Sequence, residues 1–185
     1  MAAVAILVNG MPASGKSTIG GALAEMLGCP FLSKDRIKEP LAEIAGPTIA
    51  SRAIGGIAMD TVWAMAGAVE AGVVVDAVWL PERDRGFLEA GLTAAGSPRV
   101  VEVWCDVDRA VAEERLRERY APSAPGRHGV HGGLEDLLAF WEQHGSTAGP
   151  VGPSASTPWP VVRIDTGKGF DGPDLMVEIA AHFGA

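Results

Sequence analysis

Gly10, Met11, Pro12, Ala13, Ser14, Gly15, Lys16, Ser17 and Thr18 gather two glycines, a lysine and hydroxyl groups into one short run. The spacing is Gly, four residues, then Gly-Lys-Ser, and each fixed position has a chemical reason. Glycine lets the backbone fold back tightly so that N–H groups point at one centre, which suits a chain of phosphates. Lys16 adds a compact positive charge for the β and γ oxygens, and the Ser17 hydroxyl is an oxygen ligand for Mg²⁺. A helix starting here adds the positive end of its dipole. A glycine-rich chain can meet such a pattern by chance. Here an apolar run at residues 2–8 precedes the loop and helical spacing follows it, the setting a nucleoside triphosphate site needs. The ligands expected from this loop are ATP, or another nucleoside triphosphate, and Mg²⁺.

Two carboxylates and a set of arginines decide what happens to the phosphate. Asp35, in Ser33-Lys34-Asp35-Arg36, follows a short apolar run, and ligands of parallel sheets lie beyond the carboxyl ends of strands. A carboxylate there can accept the proton of an attacking hydroxyl. It can equally be the N-cap of the next helix, since aspartate is favoured in that position. Asp76 closes Val73-Val74-Val75, where an ionised carboxylate would hold Mg²⁺ directly or through water, or would contact the acceptor. Arg115 and Arg119 share a helical face, with Arg117 pointing elsewhere. Cations at a helix end compensate its dipole. Together with Arg127 on the irregular stretch beyond, they also have the make-up of a lid over a triphosphate. His128 and His131 lack a third ligand for a metal. Trp63 reads as core, and Trp79 stands between core and acceptor pocket.

These residues need a scaffold that brings them to one edge. Five apolar runs read as strands, at about residues 3–9, 30–33, 73–78, 99–104 and 161–165, with helical segments between them. Strands alternating with helices predict a parallel sheet covered on both faces. The first helix, residues 15–27, sets Ile19, Leu23, Met26 and Leu27 on one face, with Gly28 as its stop. Residues 36–72 read as helical with breaks at Pro40 and at Gly46-Pro47. Within them Ile54, Ile57, Thr61, Met65 and Val69 form the expected apolar face. Pro81 suits a helix start. Residues 121–133 read as a loop, and Leu134, Leu137, Leu138 and Trp141 as an amphipathic helix. The Pro/Gly/Ser/Thr-rich residues 146–160 read as a mobile surface connection.

Length and charge limit the alternatives. The chain has 185 residues, 48% hydrophobic and 21% charged, which fits one globular domain over residues 1–185. Its formal net charge of −8 weighs against non-specific binding to nucleic acid. The opening apolar run is too short for a bilayer, and no secretory leader is visible, so no membrane association and a cytoplasmic location are expected. Cys29 and Cys105, far apart, read as reduced thiols.

The phosphate loop, Ser33-Lys34-Asp35-Arg36, Val73 to Asp76, Arg115/Arg119 and Gly126-Arg127-His128 together resemble the small P-loop kinase family. That family includes chloramphenicol phosphotransferase, zeta-toxin-type kinases, polynucleotide 5′-kinase, gluconate kinase and the nucleoside monophosphate kinases. The resemblance implies a three-layer α/β P-loop NTPase fold. Its five-stranded parallel sheet would run in the order 2-3-1-4-5, with helices on both faces and a lid at about residues 120–133. It implies that Asp35 is the general base, that Arg115 and Arg119 are a lid pair, and that the turn containing Thr166 lies against adenine. Lys16, Arg119 and Arg127 would stabilise the transferring phosphoryl group, and Ser17 and Asp76 would hold the metal. The implied reaction moves the γ-phosphate of ATP to a hydroxyl of a small molecule such as an antibiotic, sugar or nucleoside. A toxin-like or nucleic-acid 5′-hydroxyl kinase, or a nucleotide-binding switch or partner module, are the competing readings. The chain departs from the nucleoside monophosphate kinases, since Arg36 and Arg52 are the only arginines of the acceptor half before Asp76.

Overall fold

A computed structural model of the chain describes residues 3–121 and 132–184. The lid expected at about 120–133 falls mostly outside them, as do Arg127, His128 and His131. Strand β1 (Val4–Asn9) is the central element, and Ala5, Ile6, Leu7 and Val8 are each at most 3% exposed. A strand buried on both faces needs apolar residues at every position, and this run supplies them. It pairs in parallel with β3 (Gly72–Asp76) on one side and β4 (Arg99–Asp106) on the other. Beyond these lie β2 (Phe31–Ser33) and β5 (Val161–Asp165), giving the order β2-β3-β1-β4-β5. The register sets Ser33 opposite Asp76 and Asp76 opposite Val8, so the polar strand ends converge at one edge.

Because side chains alternate across a strand, the sheet has two cores. On one face Ala5, Leu7, Val73 and Val75 meet helix α3 (Ser51–Ala68) and α4 (Pro81–Ala94), through Val62, Trp63, Ala66, Leu88 and Leu92. On the other, Ile6, Val8, Val74, Val101 and Val103 meet α1 (Lys16–Leu27) and α7 (Gly172–Ala181). A third cluster joins Met11 and Ala13 of the phosphate loop to Trp104, Ala112, Leu116 and Trp141. It seats α5 (Arg109–Arg119) and α6 (Leu134–His144) beneath that loop. No helix among the described residues is long and apolar enough to cross a membrane.

Several sequence expectations change. In α1 Ile19 and Leu23 are buried, but Met26 and Leu27 are 44% and 41% exposed. The helix rests on its Gly20 and Ala24 side, because a Cβ at Gly20 would lie 2.6 Å from the Phe31 ring. That close approach turns the last turn outward. In α3 the buried face is Ile54, Gly55, Ala58, Val62, Trp63 and Ala66, while Ile57 and Met65 are exposed. The rotation is fixed by Trp63, whose indole fills the space where a side chain at Gly91 would stand and stacks on Trp79 at 6.4 Å. Pro40 does not break helix α2 (Lys34–Ala45) but lies inside it. The helix has no buried residue, so the carbonyl that loses its N–H partner can turn to water.

Residues 146–160 are pinned rather than mobile. Val151, Thr157 and Trp159 are buried, and the anchor is Glu102, fully buried in the middle of β4. Its carboxyl accepts from Val151 N, Gly152 N and the Trp159 indole at 2.8–3.1 Å, and from Asn9 Nδ2 at 2.8 Å. Arg85 Nη1 ties the same segment at Val151 O, Thr157 Oγ1 and Ser154 Oγ. A buried carboxyl needs donors, and the segment folds inward to provide them.

Candidate active site

The phosphate loop is fixed at its start by Asn9, fully buried at the end of β1. Its Oδ1 accepts from Gly10 N at 2.7 Å and from Trp79 N at 2.9 Å, and its Nδ2 donates to Trp79 O at 3.0 Å. The loop then uses three left-side backbone conformations, at Gly10 (φ 152°), Ala13 (φ 62°) and Gly15 (φ 84°). A Cβ at Gly10 would stand 2.6 Å from Ser14 Oγ and 2.7 Å from Cys105 O, so no other residue fits there.

Three consecutive carbonyls of the loop are held from outside. Pro12 O accepts from the Trp141 indole at 3.0 Å, Ala13 O from Arg115 Nη1 at 3.2 Å, and Ser14 O from Thr166 Oγ1 at 2.7 Å. In a trans peptide the N–H points opposite to the C=O, so the N–H groups of Ala13 and Gly15 face the loop's interior. The N–H of Ser14 instead closes a turn onto Met11 O at 3.1 Å. Ser14 Oγ is buried inside the loop without a hydrogen-bond partner among the described residues. Inward donors and an orphaned hydroxyl fit a polyphosphate.

Beside the loop, Ser17 Oγ and Ser33 Oγ both donate to Asp76 Oδ2, at 2.8 and 3.0 Å. Burial raises the Asp76 pKa above its ordinary value, while Lys16 and the two hydroxyls pull it back. Burial lowers that of Lys16, against the opposing pull of Asp76, and its Nζ donates to Met11 O at 3.0 Å. A hydroxyl and one carboxylate, all hard oxygen, suit Mg²⁺ completed by phosphate oxygens and water. Among the described residues no group of three or more His, Cys, Asp or Glu is placed to hold a metal by itself.

Asp35 lies in the first turn of α2 and is exposed. Its N-cap reading does not hold: the cap position belongs to Ser33, whose hydroxyl is spent on Asp76. The Asp35 charge acts on Lys16 and Asp76, behind burial and their mutual attraction.

On the far side of the loop a cavity of about 680 Å³ opens between Gly15, Thr18, Ile19, Arg115, Arg119, Thr166 and Phe170. Arg115 also donates to Thr166 O at 2.8 Å, so this guanidinium braces loop and turn together. Arg119 lines the cavity and its charge acts on Lys16. Arg117 faces away, paired with Glu113 at 3.2 Å. Trp79, 4% exposed and stacked on Trp63, is core and faces no acceptor. Cys29 and Cys105 are free thiols, and burial pushes Cys105 up to about 12.

Sequence reading missed Asn9, Ser33 and Trp141 as site residues. Asn9 and Ser33 are the polar ends of apolar strands, which was a usable signal. For Trp141 the sequence carries none, because its partner is a backbone carbonyl 129 residues away.

Solved structures share this fold. A candidate kinase from Chloroflexus aurantiacus superposes with a TM-score of 0.73 at 22% identity, over 98% of this chain and 96% of its own. A gluconokinase from Sinorhizobium meliloti gives 0.57 at 18% identity, over 98% and 92%. The Mycobacterium tuberculosis APS kinase CysC, solved with AMPPNP and APS, gives 0.56 at 16%, over 98% and 97%. No curated protein matches the sequence. Residues 6–140 match the family model AAA_33, described as an AAA domain, and the chain belongs to that family.

Proposed function

We propose that the chain is an ATP- and Mg²⁺-dependent phosphotransferase that moves the γ-phosphate to a hydroxyl of a small acceptor. The observation that carries this is the grouping of Lys16, Ser17 and Asp76 at one strand edge, with Asp35 exposed two residues beyond the end of β2 and its charge acting on Lys16 and Asp76. A carboxylate open to solvent there can accept the proton of an incoming hydroxyl, which supports transfer to an acceptor. The kinase descriptions of the similar structures support the same class.

In this reading the triphosphate lies along the loop with its nucleoside in the cavity beside Thr166, Ile19 and Phe170. Asp35 orients the acceptor hydroxyl and takes its proton as the oxygen bonds to the γ-phosphorus and ADP leaves. Lys16 and Arg119 balance charge on the phosphoryl oxygens, and Arg115 keeps the loop in register. Ser17 and Asp76 would hold Mg²⁺, which supplies charge neutralisation on the β and γ oxygens when bound. Residues 1–185 act as one domain in the cytoplasm, and the acidic surface argues for a small acceptor over a polynucleotide.

The test is a transfer screen with γ-labelled ATP over hydroxylated small molecules and oligonucleotides. Asp35→Asn should lower kcat about 10²- to 10⁴-fold with nucleotide affinity kept within about twofold. Hydrolysis without transfer to any acceptor would overturn the transferase reading, and transfer confined to oligonucleotides would replace its acceptor class.

A further inference from the structure

The acceptor side of the site carries a feature that the phosphate chemistry leaves unused. Lys34 and Lys38 stand four residues apart on α2 and so share one face. Both reach across to α3 at the same point. A Cβ at Gly55 would lie 3.8 Å from Lys34 Cε, 3.9 Å from its Nζ, and 3.9 Å from Lys38 Cε. Two lysine stems thus converge over a glycine that leaves them room, and both lysines are partly buried. Burial and the neighbouring Lys34 lower the Lys38 pKa, and Asp35 opposes this. Like charges at this spacing destabilise a helix. Lys34 directly follows Ser33, the residue bonded to Asp76, and Asp35 lies between the two lysines in sequence.

We propose that Lys34 and Lys38 form an oxyanion subsite over Gly55, so that the acceptor is an anionic hydroxyl compound, a hydroxy acid or a sugar phosphate. The inference rests on the phosphotransferase reading for its acceptor and on the convergence of the two side chains for its chemistry. Two ammonium groups offer the donors and charge that a carboxylate or phosphate needs, as point charges without the planar match of arginine. The subsite fixes one end of the acceptor while Asp35 faces its hydroxyl, so both lysines are binding residues and Asp35 remains the base. The bland alternative is that the lysine stems merely cover α3 with apolar surface. A methionine in either place keeps that cover and removes the charge, which separates the two accounts.

The experiment has two arms on the full chain. In the first, the phosphate loop is filled with AMPPNP and Mg²⁺, and lysine Cε resonances are followed while malate or inorganic phosphate is added. Lys34 and Lys38 should shift together and saturate, with about tenfold weaker binding in Lys34→Met or Lys38→Met, and the tighter probe identifies carboxylate or phosphate as the natural group. In the second, matched acceptors are compared: a polyol against its aldonic acid, and a sugar against its phosphate. The anionic member should be preferred, and each Lys→Met variant should raise its KM about tenfold with kcat within about twofold. Equal use of neutral and anionic acceptors, or no saturable shift of either lysine, overturns the subsite. If no acceptor is phosphorylated the kinase reading fails, and the titration still decides the subsite.

Discussion

Replacing Glu102 by alanine removes the acceptor of four separate donors at once: Asn9 Nδ2, Val151 N, Gly152 N and the Trp159 indole. Each buried donor left without a partner costs about 1–3 kcal/mol. The space vacated by the side chain can admit water that satisfies one or two of them. The remainder gives a loss of about 4 kcal/mol, out of the roughly 5–15 kcal/mol that holds a domain together. Asn9 keeps its bonds to Gly10 and Trp79, so the phosphate loop should hold its shape and nucleotide affinity should move far less than stability. The assay is urea unfolding followed by tryptophan fluorescence, with the midpoint falling and the slope unchanged. Calorimetric titration with AMPPNP on the same variant gives the affinity. A stability loss under about 1 kcal/mol would refute the reasoning, because residues 146–160 would then be held by something other than this carboxyl.

The Asp76 shift gives a pH dependence with a definite sign. Its pKa is raised in the folded apo-protein, so the native state holds that proton more tightly than the unfolded chain. Stability from this group is therefore fullest below the ordinary carboxylate range and is lost as pH rises through the raised value. Asp76→Asn should remove that decline, stabilising the apo-protein near neutrality while weakening Mg²⁺-nucleotide binding, and a wild-type minus variant difference flat from acid to neutral pH would overturn it. Among the described residues two non-glycine positions have a left-handed backbone, Ala13 at φ 62° and Ser97 at φ 56°, and they should respond differently to glycine. Ser97 is exposed, so Ser97→Gly should gain about 0.5 kcal/mol, the relief of roughly 1–2 less the entropy of about 0.4–1. Ala13 is buried, and losing its methyl costs about 0.8 kcal/mol more, so Ala13→Gly should change thermal stability little.

Much of the scaffold was legible because its signals are local. A run such as Val73 to Val75, β-branched throughout and set between Gly72 and Asp76, reads as a strand buried on both faces, and Gly10 and Gly15 fall where the backbone leaves the region open to other residues. The strand order followed from the family resemblance and agrees with the pairing found. What failed were questions of rotation and of long-range pairing. Helix α3 carries apolar residues on more than one side, so periodicity could not choose between Ile57 and Val62; the Trp63–Gly91 contact chose. Residues 146–160 look like a loose connection by composition, and only a carboxyl in the midst of Val100, Val101 and Val103 hinted that something must fold over it.

The same limit applies at the phosphate loop itself. Its motif specifies the inner surface, whereas its shape is held from outside by Trp141 on Pro12, Arg115 on Ala13 and Thr166 on Ser14. These residues come from α6, α5 and the turn after β5, each more than 100 positions from its partner. Arg115 and Thr166 also line the cavity in which the nucleoside would lie. On the proposed function, a nucleoside in that cavity would touch the groups that aim the loop's N–H donors, and its fit would be coupled to phosphate alignment. The acceptor side is tied to the loop more lightly, through Ser33 and Asp76 at one strand end. On the same reading, α2 and α3 can carry the acceptor's chemistry apart from the loop, which is why the loop motif does not name the acceptor and why Lys34 and Lys38 are the place to look for it.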